Sequence, residues 1–195
     1  MTSTTPGIDQ AETLVPTPGQ TIGPFFGYAL PYDGGEELVP PGSARAIRLH
    51  GTVSDGAGDP VPDALLELWQ ADENGRVVQQ EGSLHRDGWT FTGWGRASVD
   101  GNGHYSFSTV RPGPTEPGRP ALFMITIFAR GLTNRLFTRA YLPEDPAALE
   151  ADAFLASLTT DERSSLIATA EPTGYRFDVR LQGERETVFL TYPGH

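Results

Sequence analysis

The sequence predicts a mainly β fold, a β-sandwich interrupted by one short helical insert. Three observations carry that expectation. Short segments rich in aromatic and β-branched residues follow one another closely, 23 glycines and 17 prolines punctuate 195 residues, and helical patterning is confined to one late stretch. At this length a single domain is expected, with residues 1–42 as an extended N-terminal arm.

The arm begins with a Thr-, Pro- and Gly-rich stretch to Pro18, then places Phe25, Phe26, Tyr28 and Tyr32 within ten residues. So much aromatic surface is expected to pack on its own domain or into a neighbouring chain. Strands are expected at Ile47–Val53, Leu65–Trp69, Trp89–Ser98 and Tyr105–Val110, each bounded by turn residues such as Asp55–Pro60, Asp72–Gly75 and Asp100–Gly103. Tyr105, Phe107 and Thr109 alternate with Ser106, Ser108 and Val110, the period of a strand with one wet face. Ala121–Ala129 is apolar on both sides, as a central strand would be. Further strands follow at Arg135–Tyr141, Tyr175–Leu181 and Thr187–Tyr192. Between them, Asp145–Pro146 reads as an N-cap and first-turn proline opening a helix over AALEADAFLASL. Thr159 with Glu162 makes a capping box for a second, through Ala168.

Composition excludes several chemistries. All 14 cations are arginine, so a catalytic lysine, a Schiff base and a P-loop lysine are ruled out. Cysteine is absent, which removes disulfides, thiol nucleophiles, zinc thiolates and iron–sulfur centres. A net charge of −11 argues against nucleic acid, whose binding releases counterions to a basic surface. Neither a leader nor a membrane span is visible, and a cytoplasmic location with no membrane partner is expected. The histidines at 50, 85, 104 and 195 lack metal-ligand spacing. Asp100-Gly-Asn102-Gly-His104 opens like a calcium loop, but Arg111 stands where a bidentate Glu belongs, so a hairpin turn is expected. Arg130, just before Gly131, has two readings: a strand-end cation paired with a carboxylate, which its spacing favours, or a fork gripping a planar anion.

A set of ordered motifs goes further. Gly51-Thr-Val53-Ser-Asp55, Pro60-Val61, Glu67-Leu68-Trp69-Gln70-Ala71-Asp72, Gly103-His-Tyr105-Ser-Phe107-Ser-Thr109, Arg111-Pro-Gly-Pro114, Arg119-Pro-Ala121 and Tyr175-Arg-Phe-Asp178 recur in sequence. Together they resemble the core signature of the intradiol aromatic ring-cleavage dioxygenases. That family's fold is a β-sandwich, and its members bind ferric iron through two tyrosines and two histidines. At the four matching positions this chain has Val77, Thr115, Leu122 and Met124, poor partners for a hard cation, so no metal is expected on it. Leu122 and Met124 are expected simply to pack in the core.

The resemblance is closest to the iron-free chain of the family's two-subunit enzymes, through Thr21-Ile-Gly23-Pro24-Phe25 and Phe128-Ala-Arg130-Gly131. It implies a homologous β subunit carrying Fe(III), in an assembly of many αβ units. Thr21, Gly23, Pro24 and Arg130 would then line the shared substrate pocket, with Arg130 near a small aromatic carboxylate. The implied reaction opens 3,4-dihydroxybenzoate with O2 to 3-carboxy-cis,cis-muconate. The alternative is a non-enzymatic, transthyretin-like binding or structural module, for which the likeness is only ancestral.

Overall fold

The computed structural model describes residues 21, 23, 25–78 and 86–192. Two sheets form. Sheet 1 runs β4 (His104–Thr109), β1 (Ile47–Ser54), β8 (Gly174–Arg176) and β7 (Thr169–Glu171), with β9 (Val179–Arg180) also pairing β1. Sheet 2 runs β3 (Trp94–Ser98), β2 (Leu65–Trp69), β5 (Leu122–Phe128) and β6 (Leu136–Tyr141), all antiparallel. As expected, β5 is interior to its sheet.

Alternation does the folding work. On β4, Tyr105, Phe107 and Thr109 are buried while the intervening residues are half exposed. They meet Leu49 and Val53 of β1 and the inner row of sheet 2, formed by Leu66, Leu68, Phe123, Ile125 and Ile127. These five are at most 1% exposed. Burying a side chain of this size contributes about 1.5–3 kcal/mol. Two polar ties reinforce this packing, one within sheet 1 and one between the sheets. Tyr105 donates its hydroxyl to the Phe177 carbonyl, and Gln70 receives Thr109 Oγ1–H at 2.5 Å while donating to the Val110 carbonyl at 2.9 Å.

Several boundaries differ from expectation. The strand foreseen at Trp89–Ser98 starts only at Trp94, because Asp87 caps a turn by accepting from the Trp89 and Thr90 amides. Tyr175–Leu181 is divided into β8 and β9, and Thr187–Tyr192 contributes only a bridge from Leu190 to Phe137. The first helix is split. Asp152 adopts an extended conformation and caps a new start, ending α2 (Pro146–Ala151) and opening α3 (Ala153–Ala156). The capping box at Thr159 and Glu162 is present, but α4 (Thr160–Ser164) stops early, since Tyr141 captures the backbone at Leu166 and Ala168. The arm, after a short helix α1 (Phe26–Ala29), is anchored by its last part. Leu38 and Val39 are buried, with Leu38 N–H bonded to the Ser108 carbonyl at 2.8 Å. Most of the segment before it lies outside the described residues.

On the outer face of sheet 1, His50 lies 2.9 Å from Glu171 and 3.4 Å from His104, whose other neighbour is Arg48. Desolvation first, then the Arg48 and His50 charges, hold His104 below the ordinary histidine value of 6.5. The folded state therefore resists a proton that the unfolded chain accepts. Stability carried by neutral His104 is full above that ordinary value and is lost as pH falls towards the lower folded one. Urea midpoints measured from pH 7.5 down to 5 should accordingly fall less steeply in His104→Gln than in the parent chain. Parallel curves would remove His104 from the acid response.

Candidate functional site

The outer face of sheet 2 carries two distinct places. Register fixes the first: Trp94 opposes Trp69, Trp69 opposes Met124, and Met124 opposes Arg139. Since residues opposite one another share a face, these four side chains form one row across the sheet. Two residues along β5, Leu122 opposes Tyr141, which is covered by α2, α3 and the segment that follows α4. The helical insert therefore roofs one end of the face and leaves the rest open as a cleft of about 970 Å³.

Val77, Thr115, Leu122 and Met124 all line that cleft. Two loops bring the first pair in. Asp72 accepts from the Asn74 and Arg76 amides at 2.8 Å each, tightening the turn that ends on Val77. Gly75, in the left-handed region at φ +79°, lets the Pro114 carbonyl approach so closely that a Cβ there would sit 1.9 Å from it. The expectation that Met124 packs in the core is thus corrected, whereas Leu122, though it borders the cleft, packs against the second apolar cluster around Tyr141 and Leu155. Their neighbours Phe123 and Ile125 point inward, whereas Met124 is 39% exposed and faces the cleft. An apolar run cannot reveal which parity is inside when both parities are apolar.

The second place lies beyond the far end of β5. Met124 and Phe128 are four positions apart on that strand, about 13 Å at roughly 3.3 Å per residue, and Arg130 follows. Arg130 is exposed, and its Nε lies 3.0 Å from the largely buried Oδ2 side of Asp63. The ion pair foreseen for a strand-end arginine is therefore present. It engages Nε, and no partner for the two Nη groups occurs among the described residues. Thr21 Oγ1 accepts the Gly131 N–H at 2.8 Å, tying the arm to the turn that carries Arg130. Gly23 is half-buried with φ +71°, a conformation that favours glycine. Pro24 lies outside the described residues. Phe25 and Tyr28 stand beside this patch, 79% and 84% exposed.

Thr21 thus lies beside the Arg130 turn, and Val77, Thr115, Leu122 and Met124, which the resemblance matches to the iron ligands, lie together in the cleft. Asp63 as the partner of Arg130, and Trp69 and Arg139 as cleft walls, are not among the roles the sequence singles out. The alternation of Arg139 with buried Thr138 and Ala140 was the available signal.

A family model described as Dioxygenase (Dioxygenase_C) matches residues 22–183. The protocatechuate 3,4-dioxygenase alpha chain of Burkholderia cepacia is 35% identical to this chain, over 91% of it and 98% of the relative. The chain belongs to the intradiol dioxygenase family. The beta chain from the same organism is 34% identical, but over only 72% of this intradiol chain and 66% of its own length. Among solved structures, the dioxygenase domain of a carbohydrate-binding fusion protein from Streptomyces sp. SirexAA-E superposes with a TM-score of 0.56. It is 25% identical and covers 87% of this chain and 99% of that one.

Within the intradiol frame, the donor set can be judged by its chemistry. The Val77 and Leu122 side chains offer no lone pair, Met124 a soft thioether, and Thr115 one neutral hydroxyl, so these four positions do not fit ferric iron. No group of three or more His, Asp or Glu converges elsewhere among the described residues. None of their helices is long and apolar enough to cross a membrane.

Proposed function

We propose that this chain is the iron-free α subunit of a protocatechuate 3,4-dioxygenase. A homologous β subunit would carry Fe(III), and the two would complete one site between them. The observation that carries this reading is the near end-to-end match to an alpha chain, combined with the loss of a ligand at every iron position of the cleft. The relatives are dioxygenase chains, which leaves the transthyretin-like alternative without support.

In this reading the shared site opens 3,4-dihydroxybenzoate between its hydroxylated carbons, adding both atoms of O2 to give 3-carboxy-cis,cis-muconate. The partner's iron supplies the redox chemistry when bound. This chain supplies a wall and a cation. Asp63 holds Arg130 by its Nε edge, so the free Nη pair can meet a planar carboxylate. With a net charge of −11, the molecule as a whole repels that substrate, and a local guanidinium offsets the repulsion. Gly23 lets backbone approach the ring and Thr21 ties the arm to the Arg130 turn, the same wall to which the resemblance assigns Pro24. Exposed Phe25 and Tyr28, set beside this patch, are suited to burial against the β subunit. Assembly in many αβ units and a cytoplasmic location belong to the same proposal.

The test is reconstitution. Each chain purified alone should consume no O2 with 3,4-dihydroxybenzoate, and the co-expressed pair should do so. Turnover by this chain alone, or failure of the two to co-purify, would refute the assignment.

A further inference from the structure

The cleft on the outer face of sheet 2 is shaped for a small molecule. Its volume of about 970 Å³ falls within the roughly 300–1,000 Å³ of small-molecule sites. Apolar side chains line it where solvent would otherwise be met: Trp69 is 49% exposed, Val77 69% and Met124 39%. Trp69 is braced by Trp94 at a ring separation of 6.0 Å, and Trp94 in turn stacks on Tyr32. The wall is therefore preorganised.

The charged lining is uneven. Arg119 lies 3.6 Å from Glu116 and 3.8 Å from Asp152, and Asp152 also caps α3 through its other oxygen. Both carboxylates gather on Arg119 and leave one net negative charge there. Arg139 is different. It is half-buried, donates to the neutral Tyr141 hydroxyl at 3.1 Å, has the neutral Tyr192 hydroxyl as a second hydrogen-bond partner, and lies over the Phe154 ring. Its Nε–H, shielded from solvent, meets no acceptor. No carboxylate pairs with it among the described residues. A partly desolvated cation without a counter-charge is costly, and an anion entering the cleft would offset that cost.

We infer that this cleft binds a small aromatic monocarboxylate, held but not turned over. The ring would lie against Trp69, Val77, Leu122 and Met124, where the indole and thioether favour an aromatic face or edge. The carboxylate would point towards Arg139. A single negative charge suits the site, because Glu116 and Asp152 would oppose a second. The inference does not rest on the proposed function, since the Arg130 patch lies beyond the other end of β5.

The test is a ¹⁹F NMR titration of the full chain, free and in complex with its partner, using 4-fluorobenzoate and its neutral isostere 4-fluorobenzamide. Saturable binding of one benzoate per free chain is expected, with the amide weaker by about tenfold or more. Arg139→Met should abolish that preference, and Trp69→Ala should weaken both probes by roughly tenfold. In the complex, Arg130→Ala should leave the Arg139-dependent site intact. Equal affinity for the two probes, a preference surviving in Arg139→Met, or shifts that never saturate would each overturn the inference. Should Arg139→Met fail to fold, the parent's benzoate-over-benzamide preference and the Trp69→Ala loss still decide it.

Discussion

Arg130→Ala, assembled with the partner chain, should raise KM for 3,4-dihydroxybenzoate by roughly ten- to a hundredfold, the worth of a hydrogen bond to a charged group. For plain catechol, which lacks the carboxylate, KM should change by less than about threefold. The comparison matters because Arg130 has a second task. Its removal leaves Asp63, largely buried, without its cation, and any structural disturbance from that would affect both substrates alike. The ratio of the two KM values therefore isolates carboxylate recognition from collateral damage. Steady-state kinetics on both substrates make the measurement, and equal effects would take Arg130 out of the recognition role.

The second large effect is on stability. Gly51 sits in the middle of β1, opposite Tyr105, where the chain around Phe177 crosses closest. A Cβ built there would stand 1.9 Å from the Phe177 carbonyl oxygen and 2.6 Å from its carbon. That carbonyl cannot simply retreat. It accepts the Tyr105 hydroxyl, and the Phe177 amide is itself bonded to the His50 carbonyl at 2.8 Å. Relief would have to break one of these ties or displace β9. Gly51→Ala should therefore cost about 3 kcal/mol or more, well above the usual penalty of a surface substitution. Urea unfolding monitored by tryptophan fluorescence reads this directly, and a loss below about 0.5 kcal/mol would contradict the close approach.

How much of this was legible from residue order alone depended on whether the information was local. The sandwich was, because alternation on β4 and the turn residues at Asp100–Gly103 are short-range signals. Asp100 indeed accepts from the Asn102 and His104 amides in that turn. The capping box at Thr159 was local too. The split at Asp152 was not foreseen, since a helical apolar pattern continues across it and only the cap geometry ends α2. The facing of β5 was misjudged for a non-local reason. Leu122, Met124 and Phe128 are as apolar as Phe123, Ile125 and Ile127, and only pairing with β2 and β6 decides which set meets the core. The cleft follows from the same parity. Its four iron-equivalent positions could be named by resemblance. That they lie together, around a cavity whose Arg139 meets no carboxylate among the described residues, is a consequence of folding. Asp63 likewise meets Arg130 only because β2 and β5 are neighbours.

The decisive question is where the redox metal resides. Purify the co-expressed assembly, separate its two chains under conditions that retain bound iron, and determine the iron in each by elemental analysis. Close to one iron per αβ pair is expected, all of it with the partner chain. Stoichiometric iron on the chain bearing Val77, Thr115, Leu122 and Met124 would contradict it.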